Sequence, residues 1–151
     1  MKRLFPYAAL CFALLISAKA AAATSARIFE LMPANEFKRI LADLNLTGEI
    51  DKDSDVTVKL ENHTVLVLIG SYQGQVIQFR YSSTAKATLR QINDWNIKRK
   101  FCKAYLDNDG EPALDMDLDL EGGVTEARIK DAIKTYSELV GMFIQHLKDS
   151  N

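Results

Sequence analysis

The stretch with the plainest chemical potential is "LDMDLDLEGG", residues 114–123. Asp115, Asp117 and Asp119 occupy alternate positions, separated by Met116 and Leu118 and followed by Leu120. Closely spaced carboxylates suit two chemistries, coordination of a hard cation and general acid–base work. The period of two argues against both. In a strand the three aspartates share one face but stand ~6.6 Å apart from one to the next. A cation such as calcium needs several oxygens at ~2.3–2.6 Å. Without ligands from other segments, the expectation is a solvated strand face, with Met116, Leu118 and Leu120 turned into a core. No residue is assigned to a metal.

Other reactive residue types are sparse. "DKDSD" at 51–55 imitates the opening of an EF-hand loop. The loop's sixth position needs Gly for its sharp turn and its twelfth needs a bidentate Glu. Here those positions hold Val56 and Asn62, so an acidic turn before a strand is expected. Cys102 lies in "KRKFCK", where neighbouring cations would favour a thiolate. Phe101 beside it and the absence of a partner motif point to a buried thiol instead. His63 is expected at a hairpin turn and His146 near the end of a helix, and neither pairs with Ser, Cys or a carboxylate in a recognisable pattern. The chain has no Walker A loop, G-x-G-x-x-G or G-x-S-x-G. No catalytic residue and no cofactor are assigned. Asn45-Leu46-Thr47 and Asn62-His63-Thr64 match the glycosylation sequon, which matters only on a eukaryotic secretory route.

The elements that would position these residues follow from periodicity. Phe37, Ile40, Leu41 and Leu44 recur at helical spacing within 31–48, and Gly48 is expected to stop that helix. Three antiparallel strands come next, in "VTVKLEN", "TVLVLIGSY" and "QVIQFRYSS", broken by hairpins at "ENH" and "SYQGQ". A second helix is expected over 84–101 with Leu89, Ile92 and Trp95 on its apolar side, which makes Trp95 structural. "KAYLDNDGEPALDMDLDLEGG" reads as a hairpin about the turn D-N-D-G. A long helix follows from about Thr125, its N-cap, with Ile129, Ile133, Tyr136, Val140, Phe143 and Leu147 as its apolar stripe. The order α-β-β-β-α-β-β-α favours an α+β fold, an antiparallel sheet with helices packed on it.

The chain of 151 residues opens on Lys2 and Arg3, then an apolar run from Leu4 to Ala18, then "SAKAAAA". That pattern is a signal peptide over 1–20, with an A-x-A site at Ala18-Lys19-Ala20 and alternative cleavage points up to Ala23. The run is shorter than the ~20 residues of a spanning helix, so no stable membrane insertion is expected after its removal. Lys2, Arg3 and Lys19 leave with the leader, so 16 basic and 20 acidic side chains remain, a net charge of −4. That balance excludes nucleic acid as the expected partner. Cys11 also leaves, and Cys102 alone cannot form an intrachain disulfide. One domain over 27–148, periplasmic or secreted, is the expectation.

From Ile92 to Thr125 the chain resembles the bacterial YbjN family, described as sensory transduction regulators. The resemblance rests on the N-x-W-N segment Asn93-Asp94-Trp95-Asn96, the basic residues running into Phe101, "AYLD", the D-N-D-G turn and "MDLDLEGG". The preceding strand block fits the same layout, so the likeness spans nearly the whole mature domain. Two departures stand out: Cys102 occupies a position where a small residue such as Gly is usual, and many relatives lack an export leader. The resemblance implies a fold like that of type III secretion chaperones, α+β proteins that commonly dimerise and bind partner polypeptides. It supplies no catalytic residues to carry over. The function expected is an exported, non-enzymatic binding or chaperone-like protein with a peptide or protein partner, with a homodimer as one possible state. The alternative is a small exported enzyme or metal-binding module that uses the acidic strand or Cys102.

Overall fold

The computed structural model describes residues 26–149, and the expected leader over 1–20 lies outside them. The elements are β1 (Ile28–Phe29), α1 (Ala34–Asp43), β2 (Gly48–Ile50), β3 (Val56–Leu60), β4 (His63–Leu68), β5 (Val76–Ser82), α2 (Leu89–Lys98), β6 (Lys103–Leu106), β7 (Pro112–Asp119), β8 (Val124–Thr125) and α3 (Glu126–Asp149). The expected α+β fold is present, with every pairing antiparallel. The main sheet runs β2-β3-β4-β5-β7-β6, so the β6–β7 hairpin is inserted with β7 against β5. Three short strands add to the expected five: β2 extends one edge of the sheet, and β1 pairs with β8 in a separate ribbon.

Alternation divides the sheet into two faces. Val56, Val58, Leu60, Val65, Val67, Ile77, Phe79, Leu114, Met116 and Leu118 all point to one side and are buried. The helices supply the other half of that core through Phe37, Ile40, Leu41, Ile92, Trp95 and the α3 stripe from Ile129 to Leu147. Phe79 stacks on Phe37 at 6.2 Å and on Tyr136 at 5.2 Å, which ties α1 and α3 to the middle of the sheet.

Helix ends differ from the sequence expectation. Asn45, at φ +59°, ends α1, and the Leu46 N–H reaches back to the Leu41 carbonyl at 2.9 Å. Gly48 opens β2 rather than stopping the helix, because a Cβ there would lie 2.7 Å from Leu41 Cδ1 and 2.9 Å from Val56 Cγ1. α2 starts at Leu89, not near Thr84. Thr88 caps it: its Oγ1 accepts from the Gln91 N–H at 3.3 Å, while Gln91 Oε1 accepts from the Thr88 N–H at 2.7 Å. Leu89 therefore falls in the first turn and is exposed, and Gln91 takes the inward position beside Ile92 and Trp95. Thr125 does cap α3, accepting from the Arg128 N–H at 3.2 Å.

Candidate functional site on the open sheet face

The three helices pack on one face of the sheet, and the β5–β7–β6 part of the other face carries a group of polar side chains. On β5 these are Gln78 and Arg80; on β7, Asp115 and Asp117; on β6, Lys103 and Tyr105. Register brings them together, since Arg80 stands opposite Asp115, Gln78 opposite Asp117, and Lys103 opposite Asp115 from the other side. The result is a connected network. Arg80 donates from Nε to Asp115 Oδ1 at 3.0 Å and from Nη2 to Asp115 Oδ2 at 2.9 Å, a bidentate pair. The Tyr105 hydroxyl donates to Asp115 Oδ2 at 3.1 Å. Gln78 Oε1 accepts from Arg80 Nη2 and from the Tyr72 hydroxyl, both at 3.1 Å, and Gln78 Nε2 donates to Asp117 Oδ1 at 2.6 Å.

The expected solvated face is correct for Asp117 and Asp119, which are exposed, and incorrect for Asp115, which is 2% exposed. Asp115 is covered by its own ligands, and a carboxylate at that depth is stable only when paired and hydrogen-bonded. Hydrogen bonding to Asp115 pushes the Arg80 guanidinium pKa up. Burial, and then the Asp115 charge, push the Tyr105 hydroxyl up, so it remains a donor. Both Asp115 oxygens are thus engaged, Oδ1 by Arg80 and Oδ2 by Arg80 and Tyr105.

Beside this network lies a groove of about 710 Å³. The segment after β1 forms one wall, with Glu30 and the exposed Leu31; Tyr72, Val76 and Gln78 form the floor; Asp117, Asp119 and Glu121 close the far side. A hydrogen bond from the Met32 N–H to the Gly74 carbonyl, 2.8 Å, holds the first wall against the β4–β5 connection. Among the described residues, four carboxylates line the groove and no cation does. Such a lining suits a cationic side chain flanked by an apolar one.

The remaining sequence-stretch candidates take structural roles. Asp51 Oδ1 accepts from the Asp53 and Asp55 N–H groups at 2.9 and 3.0 Å, and so shapes the "DKDSD" turn. Asp55 is buried, accepting from the Ile69 N–H at 2.7 Å and from Ser71 Oγ at 2.8 Å. His63 is the first residue of β4, not part of the turn, which is the pair Glu61-Asn62 with φ of +46° and +69°. His146 Nε2 lies 2.9 Å from the Gln91 carbonyl, and its ring packs on Trp95. Cys102 is only half-buried, short of the expected full burial. Burial still pushes its thiol pKa up, against smaller opposing effects of the Trp95 N–H and Arg99, which disfavours a thiolate. Among the described residues no group of three or more His, Cys, Asp and Glu is arranged to hold a metal ion.

Sequence reasoning missed Arg80, Gln78, Tyr105 and Tyr72 as companions of the acidic strand. The signal was the polar half of the alternation in "QVIQFRYSS", but using it required knowing that β5 and β7 are neighbours.

Fold and open face together define a two-layer α+β domain with a pre-formed polar surface on the uncovered side of its sheet. Residues 33–149 match a family model described as "YbjN: Putative bacterial sensory transduction regulator", and the chain belongs to that family. Its structure is also similar to "Crystal structure of YbjN, a putative transcription regulator from E. coli", with a TM-score of 0.62 and 16% identity over 80% of this chain and 94% of that one. At that identity the likeness carries the fold alone. No curated protein matches the chain.

Proposed function

We propose that this chain is an exported, non-enzymatic binding protein of the regulator type, and that its partner is a polypeptide whose basic segment lies in the acidic groove. The observation that carries this reading is the groove lining: Glu30, Asp117, Asp119 and Glu121 ring exposed Leu31 and Tyr72, beside a network that already satisfies its own polar groups. A pre-organised surface loses little entropy on binding. Family membership supports a regulator-like role, and the leader pattern of residues 1–20 supports export to the periplasm or beyond.

The test is a photo-crosslinking amino acid at Gln75, which lines the groove, in intact cells, followed by mass spectrometry. A single polypeptide species crosslinked from Gln75, absent with a crosslinker at exposed Lys52 and lost on Asp119→Lys, is the expected result. Equal crosslinking from both positions would remove the groove as the binding site.

A further inference from the structure

The outward side of α2 and the turn after it carry a surface that neither the core nor the groove uses. Gln91, Ile92 and Trp95 face inward, which leaves Leu89, Arg90, Asn93 and Ile97 on the opposite side of the helix. Leu89 is 72% exposed, Ile97 75% and Phe101 75%. Lys86, Arg90, Lys98 and Lys100 flank them in the chain, and all four are exposed. The one carboxylate between residues 86 and 103 is Asp94, and Lys98 neutralises it at 2.8 Å. A chain of net acidic character has thus gathered its cations around three uncovered apolar side chains.

Phe101 sharpens the case. Its φ is +70°, a region that a bulky side chain rarely occupies and that raises the energy of the backbone. The turn therefore holds an aromatic ring in water at a strained position. Exposure of the ring to water disfavours the isolated domain, and an apolar phase over the ring would offset it.

The shape of the surface selects the occupant. Among the described residues, these side chains line none of the three best-formed grooves; they project from a convex helix and turn. A folded acidic protein would need a hollow to match each tip. A bilayer interface needs none, since ring and alkyl tips sink below the headgroups while Lys and Arg stay among the phosphates. We propose that the outer side of α2, with the Phe101 turn, docks reversibly on a bilayer containing anionic phospholipid.

Flotation of the exported, leader-free protein with vesicles tests this. Vesicles of phosphatidylcholine with phosphatidylglycerol should carry the protein upward, pure phosphatidylcholine should not, and added salt should release it. Lys100→Gln should lower the partition coefficient about fivefold, the usual contribution of one cation at such a surface. Phe101→Gly should abolish flotation while leaving the melting temperature unchanged or raised, because Gly adopts positive φ freely; that stability readout separates lost docking from lost folding. The groove variant Leu31→Ser should float like the wild type, so the two surfaces fail or succeed independently. Wild-type protein that ignores both vesicles, binds both equally, or floats undiminished after Phe101→Gly and Lys100→Gln would overturn the proposal. So would capture of a soluble acidic protein by this surface without vesicle binding.

Discussion

Asp115 and Asp117 are two residues apart on one strand face and answer to different forces. Asp115 is buried under Arg80 and Tyr105, whereas Asp117 is exposed and accepts a single bond from Gln78. Replacing Asp115 with Ala should cost about 2 kcal/mol in urea unfolding, because the half-exposed Arg80 guanidinium loses its bidentate partner. Asp117→Asn should cost only ~0.5 kcal/mol, the scale of a surface change. Leu118→Asp puts an unpaired charge on the core side and should unfold the domain. A one-residue slip of register would exchange these effects. Calcium or EDTA should leave the melting curve unmoved.

Asp55 gives the pH dependence. Burial alone would raise its pKa, but hydrogen bonds from Ser71 Oγ and from the Ile69, Ser71 and Gly70 N–H groups hold it below the ordinary carboxylate value. A folded-state pKa below the unfolded ~3.9 means that the contribution to stability is complete above that value and disappears as pH falls through the folded one. Glu36, Asp43 and Glu126 are lowered too, by Arg27, Arg39 and Lys130, so they add in the same direction. Unfolding free energy should therefore fall as pH drops below about 4, and Asp55→Asn should flatten that slope in urea titrations at each pH. Individual side chains were only partly legible. Trp95 reads as core and is core, whereas Leu89 reads as core and is exposed, because one turn of α2 is spent on the Thr88–Gln91 cap. The Arg80–Asp115 pair depends on a register between segments 35 residues apart, which alternation within either segment does not disclose.

At the scale of elements, long periodic stretches declared themselves and short ones did not. α3 and the β3–β4–β5 meander follow their patterns closely. β1, β2 and β8 have two or three residues each, too few for a period of two to show. The edge strand β6 also has a protection that no pattern announces. Asn96 Nδ2 donates to the Ala104 carbonyl and Asn96 Oδ1 accepts from the Ala104 N–H, both at 2.9 Å, so one amide side chain stands in for a neighbouring strand. Asn96→Ala should cost about 1–2 kcal/mol and raise aggregation, measured by light scattering during thermal melting. Gly70 holds the β4–β5 connection against the "DKDSD" turn, where a Cβ would lie 1.8 Å from the Asp53 carbonyl oxygen. Gly70→Ala should cost about 3 kcal/mol, since backbone rather than a flexible side chain blocks it.

At the scale of the molecule, the order of the elements predicted an α+β fold, and the structure has it. What composition does not carry is the asymmetry of the sheet, with one face given to helices and the other to a groove. The proposed export is tested at this scale as well. N-terminal sequencing of the exported form should begin near Ala21; an intact Met1 in the membrane fraction would contradict export by cleavage.

The position of β7 between β5 and β6 has a kinetic consequence. The β6–β7 hairpin is local and can close within microseconds. Its docking on β5 joins Val76 to Asp119 across 43 residues, and the α3 residues that seal the core come later still. While the chain is being made, the first four strands of the sheet therefore stand with the β5 edge open and only α1 over their apolar side. Contacts this distant in sequence slow the collapse. Closure of the core is therefore expected to wait for α3, in the last part of the chain to be synthesised.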